Sequence, residues 1–225
     1  MVGTLAEDSA LTELETHLSA SKSATPGTVR PGGRTAKVRA AVLEATRDAL
    51  VAEGFHALHL DRIASAAEVG KTTVYRRWGS PVGLVADLLR DMAEQSVAAS
   101  DTGSLEGDLT ANADLVRRTL TDPGSAPLFH AVIAAAACDG DCAAALNGFY
   151  TTRLKEWAPV VTRAAERGEI PASTDATELL RAVAAPLYYR FAISHEPLTE
   201  ETAARAVRAA LTAAQAGVYA TRTTP

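Results

Sequence analysis

Six side chains able to bind anions or exchange hydrogen bonds crowd into seven consecutive positions: Lys71, Thr72, Thr73, Tyr75, Arg76 and Arg77. Their chemistry is recognition rather than bond-making, because no acid–base pair stands among them. Lysine can donate to guanine acceptors, and threonine offers a hydroxyl or sets its methyl against thymine. The hydroxyls of Thr73 and Tyr75 suit phosphate oxygens. Backbone amides from Gly70 to Thr72, at the start of a helix, point at any anion placed there. Gly70-Lys71-Thr72 also invites a nucleotide-binding reading, but the glycine required five residues before Gly70 is Ser65 and no strand precedes it. Cys138 and Cys142 flank Asp139-Gly140-Asp141, a spacing open to a thiol switch or to two plain reduced thiols. Metal chelation needs more ligands, and His130 lies eight residues from Cys138. No nucleophile–base arrangement emerges, so no enzyme, metal or cofactor is expected.

The elements around the six residues must hold them outward. Val42, Ala45, Ala49 and Leu50 form one helical stripe, followed by Phe55. Leu60, Ile63, Ala64 and Ala67 form a second stripe, on a helix of two turns. Val69-Gly70 make a tight connection, and Val74, Tyr75 and Trp78 supply an inward side to a third short helix. Two short helices joined by about three residues and braced by a longer one match a helix-turn-helix. A helix of this width enters the major groove with its first residues on the base edges.

Helical periodicity continues beyond this segment. The expected helices are 35–53, 60–67, 71–78, 81–99, 104–121, 126–138, 141–168, 174–194 and 199–220, with no alternating strand pattern. Ser80-Pro81 reads as an N-cap followed by proline at the first helical position. Thr174 and Thr199 are further N-cap candidates, and Asp122-Pro123-Gly124 and Asp139-Gly140 are turns. Residues 1–33 are rich in Ser, Thr, Ala and Gly, and read as a flexible arm in which Leu11, Leu14 and Leu18 could still line a short helix.

The chain has 225 residues, 47% hydrophobic and 22% charged, which suits a globular protein and not a disordered one. Its longest apolar run, Ala131–Cys138, is far short of the roughly 20 residues that span a membrane. The first thirty residues lack a basic start leading into an apolar core, so a cytoplasmic location is expected. The net charge of −5 hides a split: nine Lys/Arg against five acids between Arg30 and Gly79 make that segment +4. Such asymmetry suits a nucleic-acid-facing module joined to something else, and equally a solvated face.

The stretch GGRTAKVRAAVLEATRDALVAEGFHALHLDRIASAAEVGKTTVYRRWGSPVGLVADLL resembles the DNA-binding domain of the tetracycline-repressor (TetR) family of bacterial regulators. The resemblance rests on Arg34, Val42-Leu43, Ala45, Glu53-Gly54-Phe55, Ile63-Ala64, Val69, Thr73-Val74-Tyr75 and Trp78. Three positions depart from the family's habit: His59 where a Ser or Thr often caps the second helix, Glu68 where Gly often stands, and Ser80 where Lys usually follows the aromatic. A positive φ at Glu68 would strain it.

The resemblance implies an all-α protein: an N-terminal three-helix helix-turn-helix DNA-binding domain (34–80), then a helical ligand-binding and dimerisation domain (81–220) and a tail (221–225). It implies a homodimeric repressor of a palindromic double-stranded operator, nucleoid-associated when bound, with Lys71, Thr72, Thr73, Tyr75, Arg76 and Arg77 on the DNA and Arg34 and Lys37 on flanking phosphates. Two-fold symmetry would come from the Ala-rich helices near 174–194 and 199–220. An apolar pocket in the middle helices would release DNA on binding a small apolar ligand. Its candidate walls are Phe129, Val132, Ile133, Phe149, Tyr150, Trp157 and Tyr188, with Arg153 and His130 as polar anchors and Pro159 and Pro186 loosening the helices around it. Each of these residues has plain packing as its rival role. The alternative to the whole reading is a helical small-molecule binder or enzyme with a vestigial helix-turn-helix.

Overall fold

A computed structural model describes residues 31–95 and 98–221, with the backbone alone at 31 and 32. The expected stripe Leu11-Leu14-Leu18 and residues 222–225 lie outside the described residues. The chain divides into two units, 1–37 and 38–225, and the packing below concerns the second. Among the described residues the secondary structure is helical apart from one isolated β-bridge, Thr174 with Ala220.

The helices are α1 (Pro31–Glu53), α2 (Leu60–Ala66), α3 (Lys71–Trp78), α4 (Pro81–Glu94), α5 (Leu105–Thr121), α6 (Ala126–Cys138), α7 (Gly140–Glu166), α8 (Ala176–Tyr189) and α9 (Glu200–Gln215). A 3-10 turn, Phe55–Ala57, follows α1, and a π-helical turn, Arg190–Ser194, extends α8. The described helix begins at Pro31, four residues ahead of the expected start.

The helix-turn-helix forms through local rules. Leu60, Ile63 and Ala64 bury one face of α2, and Val74 and Trp78 bury one face of α3. His59 stands at the N-cap of α2 with no side-chain cap bond. The turn closes when Glu68 N–H donates to Ser65 O at 3.2 Å and Val69 N–H to Ala64 O at 2.9 Å, a Schellman pairing. It needs a left-handed residue, and Glu68 adopts φ 54°. Ser80 Oγ then caps α4 by accepting from Gly83 N–H at 3.1 Å. A Cβ at Gly83 would lie 2.0 Å from the Trp78 carbonyl oxygen, so α3 and α4 can meet this closely only over glycine.

This part of the chain does not close a core by itself. Val42, Leu50, Ile63, Val74 and Trp78 share one buried cluster with Leu84, Val85, Leu88 and Leu89 of α4, Leu128 and Val132 of α6 and Leu146 of α7. A second cluster joins Leu105 and Leu109 of α5, Trp157, Val160 and Val161 of α7, Leu179, Leu180, Val183 and Leu187 of α8, and Ala203, Val207, Ala210 and Ala214 of α9.

Several helix ends differ from expectation for identifiable reasons. α4 stops at Glu94 rather than 99, and Ala98–Ser100 are not helical. There Arg163 of α7 donates to Ser100 O at 3.1 Å. α8 is capped by Asp175, whose Oδ1 accepts from Thr177 and Glu178, because Thr174 Oγ1 already donates to Pro171 O. α9 ends at Gln215, not 220, on a second Schellman pairing, Gly217 N–H to Ala214 O and Val218 N–H to Ala213 O, with Gly217 at φ 75°. Beyond it Asp175 N–H donates to Tyr219 O and Thr221 N–H to Ser173 O, both at 2.8 Å, which ties Thr221 to the start of α8.

Glu68 is exposed and left-handed, so Glu68→Gly removes strain without removing packing. Relief of roughly 1–2 kcal/mol exceeds glycine's entropic penalty of roughly 0.5–1 kcal/mol. The variant is expected to be more stable by about 0.5–1 kcal/mol in thermal or denaturant melts, and a loss of stability would contradict this.

Candidate functional site

α3 presents its polar side to solvent. Lys71, Thr72, Tyr75, Arg76 and Arg77 are exposed and Thr73 is half-buried, so all six predicted side chains of this helix can be reached at least in part from outside. Tyr75, at 50% exposed, belongs to this outward side, which corrects its inward assignment beside Val74 and Trp78. The helical period explains it, because Val74 and Trp78 are four apart on one ridge and Tyr75 is turned about 100° from Val74. Lys71 Nζ stands 3.4 Å from Asp61 Oδ1 of α2, and the Arg77 guanidinium lies 5.0 Å above the Trp78 ring. Arg34 and Lys37 are exposed in the opening turns of α1.

What holds α3 in place is a buried carboxylate. Trp78 Nε1 donates to Asp87 Oδ2 at 3.0 Å. Arg39 of α1 donates through Nε to Oδ2 and through Nη2 to Oδ1, each at 3.1 Å, and Arg90 reaches Oδ1 at 3.1 Å. Arg39 Nη1 also donates to Asp91 at 2.6 Å. Burial works against the charged form of Asp87, yet the bonds from Arg39 and Trp78 and the charges of Arg39 and Arg90 outweigh it, and the carboxyl titrates below its ordinary value. Arg39, which counts toward the basic segment in the sequence, is thus committed inside the fold. The sequence carried one signal of this: an acid set within the apolar run Leu84-Val85-Ala86-Asp87-Leu88-Leu89 needs a partner if buried.

A second feature is a cavity of about 820 Å³ bounded by α4 to α8 and the π-helical turn. Seven of the eight predicted ligand residues line it: Phe129, Ile133, Phe149, Tyr150, Arg153, Trp157 and Tyr188. Val132 does not. It points one residue away on α6, into the cluster shared with Leu128 and α4. His130 is not on the wall either; it is exposed, stacked on Phe191 at 3.8 Å with His195 at 6.0 Å. Pro159 and Pro186 are exposed and off the wall.

The wall is an aromatic chain. Ring centroids are 5.8 Å apart for Phe129–Phe149, 5.2 Å for Phe149–Tyr150 and 5.3 Å for Tyr150–Tyr188. Burial pushes the Tyr188 phenol up to about 12 and the Tyr150 phenol above the usual tyrosine range, so both stay neutral. The Trp157 indole N–H is buried with no hydrogen-bond partner. Leaving such a donor unmade costs about 1–3 kcal/mol. Sequence reasoning missed Met92 and Gln95, which bring the last turn of α4 onto the wall. It also missed Asn112, Leu115, Val116 and Thr119 of α5.

Cys138 and Cys142 are free thiols, and burial pushes Cys142 up to about 11, which leaves it unreactive at neutral pH. Among the described residues no cluster of three or more His, Cys, Asp or Glu could hold a metal, and no helix is long and apolar enough to cross a membrane.

Asp87→Asn keeps the shape and removes the charge, and is expected to cost about 1–3 kcal/mol at neutral pH. In a chain of this size each kcal/mol lowers the melting temperature by roughly 2–4 °C. Because the folded carboxyl titrates low, its contribution is complete above the ordinary aspartate value of about 3.9. The contribution is lost as pH falls through the lower folded value. Melts of both proteins should therefore differ by a constant amount from about pH 8 to about pH 5 and converge in stronger acid; a gap that changes around neutrality would contradict the assignment.

Comparison with known proteins agrees with this architecture. The family model described as bacterial regulatory proteins, tetR family, matches residues 42–88, and the tetracyclin repressor-like C-terminal domain matches 99–210. Two similar proteins are the HTH-type transcriptional regulator AqdR of Rhodococcus erythropolis and the uncharacterized HTH-type regulator YdeS of Bacillus subtilis. AqdR is 30% identical over 143 residues, 63% of this chain and 68% of its own. YdeS is 26% identical over 161 residues, 71% of this chain and 81% of its own. Among solved structures, the TetR family transcription regulator SCO0332 superposes with TM-score 0.63 at 28% identity, covering 78% of this chain and 97% of its own. Salmonella enterica GusR shares the fold, with TM-score 0.65 at 21% identity over 80% of this chain and 95% of its own. Members of the family are transcriptional regulators and not enzymes. An exposed basic helix closing a helix-turn-helix, a helical body behind it and matches to both family models place this chain in the TetR family of bacterial transcriptional regulators.

Proposed function

We propose that the chain is a homodimeric repressor that binds a palindromic operator in the cytoplasm and is released from it by a small ligand. The observation that carries the proposal is the outward set Lys71, Thr72, Tyr75, Arg76 and Arg77 on a helix locked from behind by Trp78 and Asp87. In this reading Lys71 and Thr72, at the helix start, meet base edges, while Thr73, Tyr75, Arg76, Arg77, Arg34 and Lys37 meet the sugar–phosphate backbone. The ion pair of Lys71 with Asp61 is exposed on both sides. Such a pair is worth about 0–1 kcal/mol, less than a good base contact of roughly 1–3 kcal/mol, so Lys71 exchanges Asp61 for DNA.

One recognition helix reads too few base pairs for selectivity, and a two-fold dimer doubles them at half-sites about 34–36 Å apart. The dimer is assigned to α8 and α9. Ala185 and Tyr189 of α8, Ile193 just beyond it and Ala209 of α9 leave apolar surface exposed there. The cavity is assigned to the ligand. Met92 and Gln95 line it from the same helix that carries Asp87, so a ligand that fits one placement of α4 better than another biases where α3 is held. Couplings of this kind are typically about 1–3 kcal/mol, enough to empty an operator several-fold to a hundred-fold.

Selection of bound fragments from a random DNA pool by the full chain should enrich an inverted repeat. Lys71→Ala should alter the preferred bases. Arg77→Ala should weaken all sequences alike and lower the salt slope by about one. A featureless pool, or both variants binding as the parent does, would overturn the proposal and favour a ligand-binding protein with an idle helix-turn-helix.

A further inference from the structure

The charge on the cavity wall is already cancelled. Among the described wall residues are two cations, Arg153 and Arg181, and no Asp or Glu. Both cations are engaged by acids that are not part of the wall: Arg153 bonds Glu156, and Arg181 Nη1 donates to Glu178 at 2.7 Å. An anionic ligand would have to compete with those carboxylates for the arginines. A cationic one would meet two arginines and no acid on the described wall. Either way a charge would be buried without a counter-ion of its own, which is costly. A neutral ligand leaves both ion pairs intact. The wall adds uncharged polar groups from Gln95, Asn112, Thr119, Asn147 and Thr151, and burial keeps the phenols of Tyr150 and Tyr188 protonated.

The wall along α7 narrows the choice of neutral ligand. Tyr150 and Trp157 both line the cavity and are seven residues apart, two turns on one side of the helix. The wall between them therefore runs about 10 Å along the axis. At one end the rings of Phe129, Phe149, Tyr150 and Tyr188 are inclined to one another in turn by 58°, 71° and 83°. Faces and edges alternate along such a chain, and a further aromatic ring packs favourably against both. At the other end stands the Trp157 indole, 3% exposed, whose buried N–H has no partner. An indole N–H can only donate. The complement of this wall is a molecule two rings long with a carbonyl oxygen at one end. Gln95, Asn147 and Thr151 are wall residues that reach the surface from the end of α4 and from α7, outside the two helices assigned to the dimer, and they mark a polar way in.

We propose that the cavity binds a neutral aromatic molecule with a terminal carbonyl, an aryl ketone or ester, its rings along Phe129, Phe149 and Tyr150 and its carbonyl oxygen accepting from the Trp157 indole. The two arginines keep their own carboxylates. The assignment rests on the reading of this cavity as the ligand site and adds the ligand's class to it.

The test uses the full chain and probes on one biphenyl scaffold: 4-acetylbiphenyl, 4-ethylbiphenyl, methyl biphenyl-4-carboxylate, biphenyl-4-carboxylate and 4-phenylbenzylammonium. In calorimetric titration the ketone and the ester should bind, and each ion about tenfold or more weakly. The chain has two tryptophans, so a nitrogen-edited proton spectrum holds two indole signals, of which that of Trp78 is tied to Asp87. The Trp157 signal should move downfield with the ketone and far less with the ethyl compound. Trp157→Phe should weaken the ketone about fivefold or more beyond its effect on the ethyl compound. Melting curves verify that this variant folds; if it does not, the spectrum of the parent chain decides. The inference is overturned if neither neutral carbonyl compound binds, if either ion binds as tightly, or if the ketone binds with the Trp157 signal unmoved. It is overturned equally if Trp157→Phe weakens the ketone and the ethyl compound alike. Release of selected DNA, followed in parallel, separates the two readings. Ketone binding that leaves DNA bound sinks the sensor role and keeps the ligand class, whereas release by an ion and by none of the neutral probes sinks the ligand class and keeps the sensor role.

Discussion

A single buried carboxylate sets the position of the exposed polar face of α3. Asp87 lies on the inner side of α4, where an unpaired charge would be expensive. It is tolerable because Trp78 of α3, Arg39 of α1 and Arg90 of α4 all donate to it. The consequence is geometric. α3 has eight residues and is too short to be stable by itself, so its direction comes from what Val74 and Trp78 pack against and from where the Trp78 indole is bonded. Fixing that ring fixes the outward azimuth of Lys71, Thr72, Tyr75 and Arg76 on the same two-turn helix.

The same helix connects this surface to the interior cavity. Asp87 stands in the middle of α4 and Met92 and Gln95 at its end, so one rigid element touches both places. Close packing supports such a connection, because Gly83 admits the Trp78 carbonyl at a distance that no other residue would allow. The body behind α4 is held differently, by a cluster rich in Leu, Val and Ala from α5, α7, α8 and α9. Ala203, Ala210 and Ala214 let α9 lie close to its neighbours and leave its other face, with Arg205, Arg208 and Ala209, toward solvent. Charge is divided along similar lines. The chain is acidic overall, yet α3 carries three cations and no acid.

Much of this was legible in the amino-acid sequence because it follows from short-range rules. The inner ridges Leu60-Ile63-Ala64 and Val74-Trp78, the Ser80-Pro81 cap and the awkward glutamate at 68 are all decided within four or five residues. The register of α3 therefore followed from helical period alone, Tyr75 being the one side chain assigned to both faces. Helix ends were less legible. Asp175 and not Thr174 caps α8, because the Thr174 hydroxyl is already engaged with Pro171 and the segment 219–221 returns beside it.

By itself, then, the sequence determined an all-helical chain, a helix-turn-helix near its front and the identity of the residues that face outward from it. Tertiary structure alone decided that Arg39 serves Asp87 rather than solvent, that Val132 packs into the core while Ile133 lines the cavity, and that Arg153, bonded to Glu156, stands on the wall of that cavity. The physical reason is range. Helical period and capping act between neighbours in the chain, whereas these outcomes depend on which sides of helices many tens of residues apart are pressed together, and no local pattern records that.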